Sequence, residues 1–522
     1  MGRARLLYFL ILCLLLPALL THLGLMSLIG DEGIRTLVAL EMDRSGQYIA
    51  PTLHGELYYK KPPLFNWLLL AVFKLTGAES EFTARLTTVF FLLVYAATVF
   101  HFARRHVSDA AAALTALALI TCGRMLFYDS LLALIDTCFS WVIFLNFMLA
   151  YHWFRRRRWW TLMLVTYTLT AVGFLLKGLP ALVFQAVTLL TLFVWKREFR
   201  RLFHPPHLVG IGWLALLLVV YYGAWSRHGD LTYLFGIIFN ESSQRTAVHY
   251  GWGATFRHLF TFPFEMGYHF LPWSLLGLGL MVRGAWQRLR TNEFVHYCLL
   301  VFGTNLIVYW TSVEVYPRYL LMHVPLFFLV GCHLYEHQQH PRSWAVRALE
   351  GLFGALTVGC VLGAVALFWV PLRVYVPYAV AKAAFLLGLF GGLAVLYVRW
   401  RPQRMLVFVA VLLGFRMAFN WFVLPDRLRH DWGSEVRLSV LHLAKTHRDH
   451  PLYIYRDTDI KFTNGFYLTT ARGTIVPRVF ERFDSSGYYI FDPRTYDTAR
   501  FEVLDDLKLR DAQGWLLVGK LK

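Results

Sequence analysis

The chain has 522 residues, 57% of them hydrophobic and only 16% charged, with a formal net charge of +19. Soluble domains carry about 25% charged residues, so the balance excludes a string of soluble domains and indicates one polytopic membrane unit with a small tail. The positive charge alternates with apolar runs instead of gathering on one soluble face, which reads as topology and attraction to anionic lipid rather than nucleic-acid binding.

The N-terminal stretch MGRARLLYFLILCLLLPALL has a charged head and an apolar body but no evident small-x-small cleavage site, and is read as an uncleaved first span. Thirteen spans are expected, near 6–28, 82–103, 109–127, 131–152, 159–176, 178–195, 207–225, 266–282, 294–311, 316–335, 346–370, 376–398 and 404–424. With the N-terminus inside, every inner loop is basic, for example Arg155 to Arg158, and the outer loops are not. The expected fold is therefore an α-helical polytopic membrane protein, with residues 1–425 in the membrane unit and 426–522 in a small extracytoplasmic α/β domain. In that domain a helix is expected over Glu435–Lys445 and strands over Leu452–Tyr455, Tyr488–Phe491 and Trp515–Val518. All six cysteines fall within or at the ends of apolar runs, against a disulfide framework or a Cys/His metal site.

The first outer loop, 29–81, carries the densest chemistry. Asp31 and Glu32 sit where the first span emerges. Acids suit a helix start, so capping and catalysis are both open for Asp31. A carboxylate beside apolar walls at the membrane exit would hold protons more tightly and could act as a general base. An amphipathic helix should follow, with Ile34, Leu37, Val38 and Met42 on one side and Arg35, Asp43 and Arg44 on the other. Lys60-Lys61-Pro62-Pro63 should open a second interfacial helix ending at Gly77. Lys60 reads as a lysine reaching the lipid surface, and Lys61, fixed by the prolines, as a phosphate ligand.

Asp136 should lie a turn or more inside the fourth span, where an acid marks function or a buried pair. Asp129 reads as a solvated loop acid, and Lys177 in FLLKGLP as either a counter-ion or a surface lysine. In the outer loop 227–265, Glu241 and Arg245 are spaced for one helix face, and Arg245 offers a fork for phosphate oxygens. His249, His258 and His269 lack metal-ligand spacing, and no metal requirement follows from the sequence. Arg318 and Tyr319 should lie at the outer surface beside Pro317, with Tyr316 in the aromatic belt. Arg416 is a mid-span cation needing an acid, a lipid phosphate or a cavity.

An acid pair after the first span, KPP, an acid near the outer end of a later span, FLLKGLP, a loop E…QR, LPWS at Leu271–Ser274 and a P-x-Y occur in this order. The order resembles the GT-C superfamily of membrane glycosyltransferases, in particular the branch with the lipid A aminoarabinose transferase and the protein O-mannosyltransferases. The specific motifs cover roughly residues 6 to 330. Two departures stand out: Lys60 where the aminoarabinose branch commonly has an acid, and Val315 where it commonly has a lysine.

The resemblance implies a polyprenyl-phosphate sugar donor and a glycolipid, glycan or protein acceptor, with transfer on the outer face of the inner membrane by inverting displacement. It implies Asp31 and Asp136 as catalytic acids and Lys61, Arg245 and Tyr319 around the donor phosphate. Glu32, Lys60, Glu241, Lys177 and Arg318 are further candidates from the same surroundings. It implies no firm cofactor, and leaves a divalent metal open. A transporter or flippase of lipid-linked sugars is the alternative, although the repeat symmetry of such folds is not found.

Overall fold

The computed structural model describes residues 2–243, 251–339, 342–369, 375–509 and 514–522. Among these, ten helices are long and apolar enough to cross a membrane, from Arg3–Leu20 to Arg401–Arg429. They match ten of the thirteen expected spans. The other three are built differently. Pro180–Trp195 is apolar but has 16 residues. Residues 266–282 divide between the end of the helix Trp252–His269 and a 3₁₀ helix, Trp273–Met281. Pro272, Gly277 and Gly279 disfavour a continuous α-helix there. The expected span 316–335 becomes a 3₁₀ turn, Pro317–Leu320, followed by the helix Val324–His337. Pro317 and Pro325 lack an N–H and fit only first turns, so the chain bends between them.

The C-terminal unit begins with the helices Leu424–Arg429 and Trp432–Thr446. Its five-stranded sheet has the order β4-β3-β5-β7-β6: β3 Leu452–Tyr455, β4 Arg478–Val479, β5 Tyr488–Phe491, β6 Phe501–Lys508 and β7 Trp515–Leu521. β3 pairs parallel with β4 and β5, whereas β7 pairs antiparallel with β5 and β6. The expected helix and three strands are present. The helix Phe462–Arg472 and strands β4 and β6 are additional.

This unit rests on the first loop. The helix Asp31–Ser45 packs against Phe462–Arg472 so closely that a β-carbon on Gly465 would lie 2.5 Å from the His54 ring and 2.7 Å from Leu37. Below it, the loop strands β1 Thr52–Leu53 and β2 Glu56–Leu57 form a short hairpin. Glu41 holds this hairpin by accepting from Thr52 Oγ1 at 2.7 Å, the His54 N–H at 2.6 Å and the Gly55 N–H at 3.1 Å. The first-loop helix is thus covered on nearly all sides, with Glu32, Arg35 and Glu41 buried, rather than lying half-exposed at an interface. The second loop helix, Leu64–Thr76, ends at Gly77 with φ 66° as its sequence required.

The contact between tail and first loop constrains the topology. Both must lie on one side of the bilayer, so an even number of crossings separates them. Ten spans would leave nine, an odd number. The total number of crossings is therefore odd, as the expected thirteen is and ten is not.

Candidate active site

Glu32 is enclosed by protein partners. Its carboxylate is fully buried and accepts from Arg85 Nε at 2.9 Å and Nη2 at 3.0 Å. It also accepts from the Ala133 N–H at 2.7 Å. Arg85 spends its other donors on the carbonyls of Leu23, Met26 and Ser27. The pair joins the end of the first span, the loop helix and the segment before the fourth span. Glu32 holds the Ala133 N–H, and the fourth span starts at Ile135 instead of 131. Asp136 accordingly lies in its first turn, not deeper inside.

Asp31, one residue earlier, points elsewhere. Its side chain is 50% exposed, not walled by apolar groups as expected. Arg318 Nη2 donates to Asp31 Oδ2 at 3.1 Å, while Arg318 Nε lies 3.3 Å from Asp136 Oδ2. The other Asp136 oxygen pairs with Lys177 Nζ. That ammonium also sits 3.8 Å from the centre of the Tyr319 ring. Arg318 itself stacks near Tyr316, at 4.6 Å, and Tyr319, at 5.6 Å. Four elements distant in sequence therefore meet: the first-loop helix, the start of the fourth span, the end of the fifth and the Pro317 turn. Lys177 is a counter-ion, not a free surface lysine. Tyr319 is buried, and Tyr316 stays exposed.

Two further arginines surround this centre. Arg35 lies within electrostatic reach of Asp136, and its buried Nη1 has no hydrogen-bond partner among the described residues. Arg124 makes a two-pronged pair with Asp129, both bonds at 3.0 Å. Asp129 is thus buried rather than solvated, and burial pushes its carboxyl up to about 6 even though Arg124 opposes the shift. Setting that pair aside, Arg35, Lys177 and Arg318 face Asp31 and Asp136, leaving an excess of one positive charge.

Lys61 lies beside this cluster. It lines a small pocket with Tyr59, Tyr221, Trp225 and Ile238. A β-carbon on Gly178, the residue after Lys177, would meet Ile238 Cγ2 at 3.9 Å. Ile238 of the helix Leu231–Ser243 therefore separates the lysine pocket from the ion-pair centre. Lys60 is exposed. Arg245, His249 and the Glu241 side chain lie outside the described residues. Next to the Pro317 turn, an apolar cavity of about 320 Å³ is lined by Phe262, Phe270, Trp310, Leu320 and His323. No group of His, Cys, Asp and Glu suited to a metal occurs among the described residues.

Arg416 has no acidic partner among the described residues. It donates to the Ala18 carbonyl at 3.2 Å, an acceptor shared with Asn420 at 2.9 Å, and so fastens the last span to the first.

Arg85, Arg124 and Arg35 were not singled out in the sequence. The rule that flags Asp136 and Arg416 as costly charges in a span applies equally to Arg85 in EFTARLTT. Arg35 reads as part of the polar side of an amphipathic helix, because the covering tail is not visible in local periodicity.

Across the whole chain, the structure matches that of ArnT from Cupriavidus metallidurans bound to undecaprenyl phosphate. The TM-score is 0.69 at 19% identity, covering 99% of this chain and 98% of that one. The chain therefore shares the fold of that protein. The apo state of the same protein matches with a TM-score of 0.67, again at 19% identity and with 99% and 98% of the two chains covered. In sequence, residues 60–225 match the family described as dolichyl-phosphate-mannose-protein mannosyltransferase. An undecaprenyl phosphate-alpha-4-amino-4-deoxy-L-arabinose arabinosyl transferase from Pseudomonas savastanoi pv. phaseolicola is 26% identical over 370 residues, 70% of this chain and 67% of that protein. The resemblance drawn from the motif order is thus supported by both fold and sequence.

Proposed function

We propose that the chain transfers a sugar from a polyprenyl-phosphate donor to a glycolipid of lipid A type, with glycan and protein acceptors as the other members of the class. The relative that acts on an undecaprenyl-phosphate sugar supports the donor. The meeting of Asp31, Arg318, Asp136 and Lys177 carries the reading. Asp136, gripped by two cations, serves to position Lys177 and Arg318. Asp31 has one arginine contact and an open side, which leaves it able to receive the proton of an acceptor hydroxyl.

In the proposed step the acceptor oxygen bonds to the anomeric carbon, its proton passes to Asp31, and the bond from that carbon to the phosphate oxygen breaks. The leaving group is the polyprenyl phosphate, whose negative charge grows as the bond opens. Lys177 and Arg35 beside Asp136, and Lys61 from the adjoining pocket beyond Ile238, are the proposed donors to that charge, each worth on the order of 3 kcal/mol in a transition state. Tyr319 fixes Lys177 from behind. Arg245, outside the described residues, is proposed as a further donor to the phosphate. Where the acceptor is itself a phosphate, Asp31 orients it and need not take a proton. The apolar cavity beside the Pro317 turn suits the isoprenoid chain.

The proposed setting is the inner membrane, with the N-terminus cytoplasmic and the site and tail outside. The basic loops support that orientation. The test is to incubate purified protein in detergent with an undecaprenyl-phosphate sugar and lipid A and to follow acceptor mass. Transfer without a sealed membrane is expected, and a flippase cannot produce it. No transfer to lipid, glycan or peptide acceptors, together with translocation in proteoliposomes, would overturn the reading.

A further inference from the structure

A second polar cluster lies at the other end of the helix Val324–His337 from Arg318. That helix has 14 residues, a rise of roughly 21 Å, so the cluster is on the opposite side of the molecule from the proposed active site. Its anchor is Glu350, almost fully buried on the helix Trp344–Ala366. Glu350 Oε1 accepts from Tyr335 Oη at 3.0 Å. Glu350 Oε2 accepts from Arg342 Nη2 at 3.1 Å and from Arg404 Nη1 at 2.6 Å. Arg347 borders the same space and makes no ion pair among the described residues. Two guanidinium groups therefore share one carboxylate with a third beside them, an excess of two positive charges.

These arginines rim a cavity of about 420 Å³ between the helices Trp344–Ala366 and Ala379–Arg399. The two helices are clamped by Tyr397 Oη, which donates to the Glu350 carbonyl at 2.6 Å. Beyond the rim the wall turns apolar, through Val358, Ala394 and Val398. Val358 and Val398 are exposed on helices that qualify as membrane spans. Arginine at the mouth and exposed aliphatic side chains below it match a phosphate ester attached to acyl chains. A free phosphate would have no use for the lower wall. Basic pockets between spans are suited to anionic lipid headgroups, and the guanidinium fork suits phosphate oxygens.

We infer that this cleft is a binding site for an anionic glycerophospholipid of the surrounding bilayer, with the phosphodiester held by Arg342, Arg347 and Arg404 and an acyl chain lying along Val358 and Val398. It is separate from the donor and acceptor sites and does not depend on the proposed transfer.

The test is native mass spectrometry of delipidated full-length protein in detergent, with palmitoyl-oleoyl phosphatidylglycerol or palmitoyl-oleoyl phosphatidylcholine added at equal concentration. Phosphatidylglycerol should be retained at least fivefold more than phosphatidylcholine. Arg347→Glu should abolish that preference; Arg347 has no ion pair to lose among the described residues, so folding should persist, and an unchanged melting temperature checks this. Arg342→Ala should weaken retention less, because Arg404 still holds Glu350. Excess inorganic phosphate should not displace the bound lipid. Equal retention of the two lipids, wild-type retention by Arg347→Glu, or displacement by inorganic phosphate would each overturn the assignment.

Discussion

Asp31 and Glu32 are adjacent carboxylates at the start of one helix, yet their surroundings are opposite. Glu32 is closed on every side, with Arg85 and the Ala133 N–H meeting its oxygens. Asp31 is half open, with one arginine contact at 3.1 Å. Successive helical positions are turned by about 100°, so one side chain enters the protein and the next faces the cleft. Buried charge is tolerated only when fully paired, and a group that must meet a substrate cannot be fully paired beforehand. The pair thus separates holding the fold from doing the chemistry within a single turn.

The largest expected effect tests the closed half. Glu32→Ala leaves Arg85 buried without its anion, a loss of about 3–5 kcal/mol. The melting temperature in detergent should fall sharply and transfer should vanish with the fold. A melting temperature near that of wild type would mean that Glu32 is not structural.

Asp31→Asn tests the open half. A half-exposed ion pair is worth at most about 1 kcal/mol, so stability should hardly move. Transfer to a hydroxyl acceptor should fall by a factor on the order of 10²–10⁴. If stability and transfer fall together, the two carboxylates do not differ in the way proposed. With a phosphate acceptor the loss should be much smaller, and this separates orientation from proton transfer.

Arg318→Lys sharpens the contrast from the cationic side. The charge stays, but one ammonium cannot replace a fork that reaches both Asp31 and Asp136. A roughly tenfold loss of kcat is expected with little change in donor KM, since misplacing a catalytic acid costs the chemical step more than binding. A change confined to KM would assign Arg318 to donor binding instead.

What the sequence made legible follows from the same physics. Charges in or beside apolar runs are costly, so Asp31, Asp136, Lys177 and Arg318 stood out, and the structure brings these four together. The long uniform spans were legible for a similar reason. Segments shaped by tertiary contact were not. The fourth span begins at Ile135, after a segment that Glu32 holds through the Ala133 N–H, a bond across 101 positions. The LPWS segment winds as a 3₁₀ helix where proline and glycine weaken an otherwise strong apolar signal. The covering of the first-loop helix by the tail depends on His54, Gly465 and Phe462, which no local pattern connects.

That covering gives a smaller, pH-dependent effect. His54 is buried against Phe462, and burial, followed by the nearby Arg478 charge, pushes its imidazole down to about 3 from an ordinary 6.5. The folded state therefore takes up this proton only near pH 3, whereas the unfolded chain takes it up near 6.5. Stability from the neutral form is complete above 6.5 and declines as the pH falls toward 3, by about 2 kcal/mol at pH 5. Melting temperatures at pH 7.5 and 5 should show a drop in wild type that shrinks in His54→Phe. An equal drop in both would exclude His54 as its source.

The smallest expected effect is at Lys60. It is exposed beside Lys61, and neighbouring residues again face different surroundings, as Asp31 and Glu32 do. An exposed lysine contributes little beyond general attraction to anionic lipid, about 1 kcal/mol per charge near the surface. Lys60→Ala should therefore change transfer in neutral detergent by less than twofold and leave the melting temperature alone. In vesicles rich in phosphatidylglycerol a somewhat larger loss is expected, and it should disappear at high salt, because such attraction is screened. A tenfold loss in neutral detergent would instead place Lys60 at the donor phosphate, alongside Lys61.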